Sequence, residues 1–356
     1  MLFMGMSPSF CWNSARLKAY TAGFLATVST VTVGTLSMLP LWAQSTSSET
    51  SPSAFCQLIE QSEPSLGSDR EPTSDDDLLA AIAQGSLDQP CNYYGFSWQP
   101  LNFLIASQSL ESQTPIIQAA IAQGADVNGQ DSNGNTPLHY AQFEEVAQLL
   151  IDNGANVNVQ NSQGDTPLHN LYGDKSRQLM QMLLDQGADV NALNQEQLTP
   201  LHRATPETVE LLLAHGADVN ARTHQNWTPL HSAVRVPAMD NTVVDSGVPN
   251  VSRVVNRLNR EVARQLLAAG ADLTLQDEQG RTVLHHLASE SDSLWGAEGM
   301  SLFLSYGVSD ALLSVCDNNG ETALDIARRL GKTEIVNLLQ AAAADAESGQ
   351  VDLPTD

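Results

Sequence analysis

Apolar residues recur at helical spacing along most of the chain after residue 75. Val146, Leu149 and Leu150 mark one face of such a helix. Similar stripes occur in DDLLAAIAQG (76–85), QPLNFLIA (99–106), TPIIQAAIAQG (114–124) and ETALDIARRLGKTEIVNLLQ (321–340). The pattern predicts a series of short helices, each with an apolar face that a neighbouring segment must cover.

Two short motifs alternate along these segments. TPLH begins at Thr136, Thr166, Thr199 and Thr228, with degraded copies at Thr282 and Thr322; GADVN or a variant begins at Gly124, Gly154, Gly187, Gly216 and Gly270, with a poor copy at Gly307. The distance from this Gly to the next Thr is 12 residues in five consecutive cases, whereas the distance from Thr to the next Gly varies from 17 to 42. The turn segment is therefore held to one length, and the connection between helices absorbs the variation.

Each motif has a physical role in a helical repeat. Thr caps a helix, Pro occupies its first turn, and Gly ends the next helix in a left-handed C-cap. Both motifs resemble the ankyrin repeat, over roughly residues 75–341. The resemblance implies an all-α solenoid of about six or seven stacked helix–turn–helix units with β-turn fingers. It also implies that the motif His bonds backbone groups joining neighbouring turns, and that partners bind at the fingertips and the exposed side of the first helix.

The N-terminus is typical of an export signal. Arg16 and Lys18 precede an uncharged stretch whose apolar part breaks near Pro40 and ends at Ala43. We interpret residues 1–43 as a cleaved signal peptide, 44–73 as a flexible linker, 74–341 as the repeat domain with an inserted loop at about 237–256, and 342–356 as a disordered acidic tail. The protein is then periplasmic or secreted. The alternative is an uncleaved N-terminal membrane anchor, because the apolar stretch is long enough to span a bilayer.

Charge narrows the classes of partner. The chain has 16 Lys and Arg against 41 Asp and Glu, a formal net charge of −25. Such a surface repels phosphate backbones and anionic lipid headgroups, so neither nucleic acid nor a membrane surface is an expected partner. A protein with a basic patch fits better.

Three cysteines remain once the signal segment, with Cys11, is set aside. In an oxidising compartment Cys56 and Cys91 can pair and tie the linker to the first structured element. The alternative is that both stay as thiols, because no spacing rule connects them. Cys316 is the remaining cysteine, for which no pairing is predicted.

The histidines predict a structural role. Five of the eight occupy one slot of the repeat: His139, His169, His202, His231 and His285. His286 follows the last of these, but no Cys or carboxylate stands at ligand spacing beside it. No phosphate loop, nucleophile elbow or zinc-protease motif occurs. The sequence therefore predicts no catalysis, cofactor or metal.

The predicted binding site lies on the two middle fingers. By resemblance, the variable fingertip positions stand one, three, four and six residues before each Thr, and in the other fingers they are polar and small. The predicted partner-binding residues are Leu193, Leu198, Arg203, Arg222, His224, Trp227 and Arg235. Trp and Arg are common at binding hot spots, and an exposed Leu beside Trp favours a partner that covers it. The alternative is that Trp227 folds back on Leu198 and stiffens the stack. Gln197 stands where Gly is usual and predicts a distorted turn.

A second candidate surface is a basic face of the helix after the insertion. It consists of Arg253, Arg257, Arg260 and Arg264, at helical spacing. The row either docks an anionic ligand or an acidic partner, or it is a solvated face paired with nearby carboxylates, the interpretation we favour.

Together these patterns predict an exported, non-catalytic, monomeric module. It captures a partner protein, such as an exported enzyme or toxin, through the fingertips and first-helix face of its middle repeats. The alternative is a structural spacer or scaffold that acts in an envelope assembly through its acidic surface.

Overall fold

The computed structural model describes residues 55–56, 75–84, 87, 90–93, 96–106, 113–171, 176–234, 251–289 and 296–348. These residues belong to two compact units, the first within residues 1–141 and 145–155, and the second within 142–144 and 156–356. Nearly all regular structure in them is helical, and the predicted all-α repeat architecture is confirmed.

The described residues of the first unit form one short hairpin and a series of helices. Its elements are α1 (Asp75–Gln84), β1 (Cys91–Tyr93), β2 (Phe96–Trp98), α2 (Pro100–Ala106), α3 (Gln113–Ala122), α4 (Pro137–Tyr140) and α5 (Glu144–Asp152). The strands pair antiparallel with Cys91 opposite Trp98. Helix α3 packs against α1 and α2, as their apolar stripes predict. The hairpin is a finger that the sequence analysis missed.

The second unit continues the helical repeats. Its elements are a 3₁₀ turn (Pro167–Asn170), α6 (Ser176–Asp185), a 3₁₀ turn (Pro200–Arg203), α7 (Pro206–Ala214), α8 (Pro229–Val234), α9 (Val251–Ala268), α10 (Val283–Ser289), α11 (Gly296–Ser305), α12 (Asp310–Leu313), α13 (Ala323–Arg329) and α14 (Thr333–Ser348). Helices pack on their neighbours along the chain, for example α9 against α7 and α8. Their buried faces carry the motif residues Leu168, Leu201, Leu230 and Leu284.

Each repeat begins at its predicted threonine. Thr136, Thr166 and Thr199 have an extended backbone, and the next residue, Pro, takes the first helical position, where its missing N–H costs nothing. The motif His then accepts the Thr backbone N–H at Nδ1, at 3.1 Å in all three cases. The helix start is therefore capped by a Thr–His pair.

The asparagine of the GADVN motif joins successive repeats. In the second unit Asn158 donates to the carbonyl of Gly187 (3.0 Å), and Asn191 donates to the carbonyl of Gly216 (3.0 Å). In the first unit Asn128 donates to the carbonyl of Gly154 (2.9 Å). These bonds satisfy carbonyls at helix C-termini and keep one distance between neighbours, which explains why the turn segment has a fixed length.

Two predicted boundaries were wrong. Helix α14 runs to Ser348, so residues 342–348 are helical rather than part of a disordered tail. Helix α9 begins at Val251, so the last residues of the predicted insertion, 251–256, are helical rather than part of a loop. The remainder of the predicted insertion, residues 237–250, lies outside the described residues, as do the predicted signal peptide, residues 1–43, and most of the predicted linker. In the part of the chain that the structure describes, no helix has the length and apolarity needed to cross a bilayer.

Candidate functional site

One side chain, five residues before each repeat threonine, shapes each finger. These keystone residues are Asp131, Asn161, Asn194, Thr223, Asp277 and Asp317. In Asn194, Oδ1 accepts the backbone N–H groups of Glu196 and Leu198, both at 2.9 Å. Asp277 does the same for Gln279 (2.9 Å) and Arg281 (2.8 Å). This position was not predicted from the sequence, although its restriction to Asp, Asn or Thr in every copy was visible in the repeats.

The second carboxylate oxygen of each keystone Asp accepts a donor from another side chain. Asp131 accepts the hydroxyl of Tyr140 (2.6 Å), and Asp317 accepts the guanidinium of Arg281 (3.3 Å). Asp277 lies 2.7 Å from Nε2 of His286, and its side chain is fully buried. Because a buried carboxylate is costly without partners, these contacts stabilise the fingers.

The fingers of the second unit are also bonded tip to tip. Gln195 donates its backbone N–H to the carbonyl of Gln163 (2.8 Å), Glu278 to that of Gln225 (2.9 Å), and Asn318 to that of Gln279 (2.9 Å). The backbone of the fingers therefore forms a rigid support for the side chains at their edge.

The repeat histidines connect neighbouring fingers, as predicted. Nε2 of His169, His202, His231 and His285 lies 3.0, 3.2, 3.3 and 3.2 Å from a backbone carbonyl of the next finger. Burial lowers the pKa of His202 and of His231 to about 4, and it also lowers the pKa of His169 and His285. Among the described residues no three His, Cys, Asp or Glu side chains come together as a metal site.

The two ends of the series replace this histidine. Asn102 takes its place in the first unit and donates to the carbonyl of Asn135 (2.7 Å). In the last repeat Asp325 accepts both the hydroxyl (2.7 Å) and the backbone N–H (3.1 Å) of Thr322. This position of the repeat therefore requires a side chain that hydrogen-bonds the backbone, and His, Asn and Asp each meet that requirement.

Leu193 lies in a row of side chains along the finger edge, six residues before each threonine. Gln160 donates to the carbonyl of Leu193 (2.9 Å), Arg222 to that of Gln276 (2.6 Å), and Gln276 to that of Cys316 (3.1 Å). Leucine has no donor, so the row is interrupted at Leu193. Its side chain is 48% exposed.

Trp227 and Leu198 are half-buried beside this row. The indole of Trp227 lies edge-on to His286, with ring centroids 6.1 Å apart, and His286 is in turn perpendicular to His231 at 5.7 Å. Trp227 therefore contacts an aromatic ring of the following repeat, a contact that neither of the two sequence interpretations included.

The other predicted contact residues tie fingers together. Arg203 forms an ion pair with the buried Asp165 (2.9 Å), which also accepts Asn194 (2.7 Å). The exposed His224 lies 3.1 Å from the carbonyl of Gln195. Arg235 lies outside the described residues. The structure thus places Leu193, Leu198, Arg222, His224 and Trp227 on two adjacent fingers, with Arg203 at their base.

The turn at Gln197 is not distorted, and that prediction was wrong. Gln197 adopts φ 58°, and its backbone N–H bonds the carbonyl of Asn194 at 2.9 Å. The corresponding bond from Asn226 to Thr223 is also 2.9 Å long. The keystone bonds hold this turn and keep Leu198 in register.

Two residues of the arginine row are paired with carboxylates. Arg260 forms an ion pair with Glu298, and Arg264 bonds Glu261 at 2.5 and 3.0 Å. The Arg264 guanidinium lowers the pKa of the Glu261 carboxyl. Arg253 and Arg257 lie on the same helix, α9, but their side chains are outside the described residues. At Arg260 and Arg264 the contacts agree with a solvated, charge-paired face.

The cysteines of the first unit form a disulfide. Cys56 and Cys91 are bonded, with their Cα atoms 5.3 Å apart, and both are buried. The bond ties residues 55–56 to strand β1. Cys316 is an exposed free thiol.

Comparison with known proteins agrees with this architecture. A family model described as "Ankyrin repeats (3 copies)" matches residues 78–161, 103–194, 142–223, 171–243 and 252–349. The crystal structure of the human ASB11 ankyrin repeat domain is similar, with 26% sequence identity and a TM-score of 0.52; the match covers 68% of this chain and 97% of that chain. A search of curated proteins gives no match. Ankyrin repeats are generally non-catalytic modules for protein–protein interaction, and this chain belongs to the ankyrin-repeat family.

Proposed function

We propose that the chain is an exported module that captures a protein partner through the fingertips and first-helix face of its middle repeats. The observation that carries this proposal is Leu193. In a row where Gln160, Arg222 and Gln276 each donate a hydrogen bond to the next finger, Leu193 gives up that bond and leaves 48% of its side chain exposed. An exposed apolar side chain on a rigid support favours a partner that covers it.

The surroundings of Leu193 define the contact surface. Leu198 and Trp227 add half-buried apolar area, while Arg222 and His224 add exposed polar groups. This composition, an apolar centre with a polar rim, is typical of protein interfaces. The net charge of −25 favours a partner with a basic patch, because opposite charges accelerate association.

Export is supported by the disulfide between Cys56 and Cys91, because such bonds persist in oxidising compartments and are rare in the cytosol. The basic and apolar N-terminal segment agrees with it. We therefore propose that the protein acts, as a monomer, in the periplasm or outside the cell.

The test is capture from the native extracytoplasmic fraction by wild type and by two leucine variants. Leu193→Gln restores the side-chain donor found in the neighbouring fingers, so the free energy of unfolding stays the same or rises by about 0.5–1 kcal/mol. The captured protein is nevertheless lost, because the apolar contact is gone. Leu330→Gln is the matched control, since Leu330 is 46% exposed and lies in a helix C-cap away from the fingers.

The two variants separate the possible outcomes. A band captured by wild type and Leu330→Gln but absent with Leu193→Gln supports the finger site. Equal capture by all three would overturn that site and favour the spacer, which acts through the acidic surface as a whole.

A further inference from the structure

Two tryptophans occupy the same slot in different repeats. Trp227 stands one residue before Thr228 of TPLH, and Trp98 stands one residue before Gln99 of the related segment QPLN. Both side chains are half-buried. Trp98 lies in the first unit and Trp227 in the second, so each unit carries one of them.

Around Trp227, three side chains form a connected trio. The indole lies against His286, with ring centroids 6.1 Å apart and an interplanar angle of 66°. Nε2 of His286 lies 2.7 Å from Oδ2 of Asp277. Asp277 is itself anchored, because its Oδ1 accepts two backbone N–H groups of its own finger. The imidazole of His286 is thus held by Asp277 of one finger, whereas Trp227 belongs to the preceding finger.

The same trio occurs around Trp98 with different chemistry. Tyr140 lies against the indole, with ring centroids 5.5 Å apart and an interplanar angle of 37°. Its hydroxyl donates to Oδ2 of Asp131 at 2.6 Å, and Oδ1 of Asp131 accepts the N–H groups of Asn133 (2.8 Å) and Asn135 (2.9 Å). Tyr140 and His286 hold the same position of the repeat, one residue after the motif histidine.

We infer that the Asp277–His286 pair holds Trp227 in place as a preorganised contact residue for the protein partner, and that the Asp131–Tyr140 pair fixes Trp98 in the same way within the first unit. The inference rests on the proposed function for the partner, and Trp98 serves as an internal comparison for the same arrangement of side chains. An indole held against a fixed ring loses little conformational freedom on binding, and preorganisation of this kind raises affinity. His286 and Tyr140 are then positioning residues.

The test reads the tryptophans directly in the purified protein without a partner. 5-Fluorotryptophan labelling gives a ¹⁹F NMR line for each tryptophan, and Trp227→Phe and Trp98→Phe assign two of them. His286→Leu removes the donor and the ring, so the Trp227 line shifts while the Trp98 line stays. Tyr140→Leu does the reverse. Each variant is therefore the control for the other.

Replacing His286 by the tyrosine that the first unit uses should restore the position of the Trp227 line. His286→Tyr installs the donor that the first unit uses, and it keeps the Trp227 line close to its wild-type position. Circular dichroism confirms folding of every variant. If His286→Leu does not fold, Asp277→Asn replaces it, because the amide keeps the Oδ1 bonds of the turn and removes the acceptor that faces His286.

Binding is measured with the partner recovered in the Leu193 experiment. His286→Leu weakens its affinity by about three- to tenfold, the size of one aromatic pair contact, while His286→Tyr does not. In a Trp227→Ala background His286→Leu has no further effect on the affinity.

A Trp227 line that is the same in wild type and His286→Leu, or lines of Trp98 and Trp227 that move together in either leucine variant, would overturn the inference. A partner that binds the His286→Leu variant with unchanged affinity would overturn the binding role while the NMR result stands.

Discussion

At the scale of single residues, the keystone side chain of each finger decides what its neighbours can be. Oδ1 of Asn194 accepts two backbone N–H groups and Oγ1 of Thr223 accepts that of Trp227 (3.1 Å), bonds that hold these turns without help from the intervening side chains. This explains why Gln197 and Asn226 adopt φ values of 58° and 59°, where glycine stands in other fingers. The strain of the left-handed Gln197 is tolerated because the two hydrogen bonds to Asn194 hold the turn in this conformation.

Replacing Gln197 by Gly is expected to stabilise the protein. A left-handed backbone costs an L-residue about 1–2 kcal/mol, and the added freedom of Gly in the unfolded chain offsets about half of it. The net gain is about 0.5–1 kcal/mol, measured by equilibrium unfolding in urea. Asn226→Gly is the comparison and gains less, because Asn tolerates this region better. A Gln197→Gly variant less stable than wild type would show that the turn is not strained.

The residues that the sequence could predict are those repeated in every copy. Thr, Pro, Leu and His of the motif lie where their spacing placed them, and burial of the His slot follows from that position. The distortion at Gln197 was predicted from one residue alone, whereas the structure depends on its bond partner, Asn194. His286 and Asp277 were not connected in the sequence because they belong to different parts of the repeat, nine residues apart.

At the scale of elements, neighbouring fingers approach so closely that some glycines have no substitute. A Cβ on Gly164 would lie 2.8 Å from the backbone nitrogen of Gln195 in the next finger. Gly320 has nearly the same backbone, with φ 75° against 77°, yet nothing lies within 4 Å of its Cβ position. The two positions therefore separate backbone strain from contact between fingers.

Gly164→Ala is expected to destabilise the protein more than Gly320→Ala. Both variants suffer the left-handed penalty, but Gly164→Ala also forces two fingers apart, at a further cost of about 1–3 kcal/mol. The free energies of unfolding in urea give the difference. Equal losses at the two positions would mean that the tip-to-tip bonds do not constrain the fingers.

Helix positions were predictable, and helix ends were less so. The acidic tail was expected to be disordered from its charge and its Gly, but residues 341–348 contain a run of Ala, the strongest helix former, which extends α14 to Ser348. The hairpin of β1 and β2 was missed because no TPLH follows it. Its Tyr, Phe and Trp residues are typical of strands and were the available signal.

At the scale of the whole molecule, the buried histidines make stability depend on pH. The pKa of His202 and of His231 falls from 6.5 to about 4 on folding because burial disfavours the charged ring. The unfolded chain therefore takes up protons at pH values where the folded chain does not. The two neutral histidines make their full contribution to the free energy of unfolding above pH 6.5. As the pH falls towards 4, the free energy of unfolding decreases by about 3 kcal/mol for each histidine.

Urea unfolding between pH 7.5 and 4 checks this dependence. The free energy of unfolding should fall steeply across the range, and His202→Asn should reduce the slope by one proton. Asn is the matched substitution, because Asn102 bonds the corresponding carbonyl in the first unit without titrating between these pH values. Stability that is constant over the range would contradict neutral, buried histidines.

The class of function could be predicted from the repeats, but the composition of the site could be predicted only in part. Leu193 and Trp227 stood out because their positions are polar in most of the other fingers. Arg203, predicted as a contact residue, also pairs with the buried Asp165, a long-range contact that spacing alone does not show. Arg260 and Arg264 are paired as well, so the exposed groups of the middle fingers remain the better candidate surface.

Amide hydrogen exchange of the protein with and without its captured partner is the most direct test of the central claim. A binding site on the middle fingers predicts slower exchange in the partner complex at the fingers of residues 193–198 and 222–227, and unchanged exchange in helix α9. Slower exchange confined to α9, or spread evenly over all repeats, would contradict a binding site on the middle fingers.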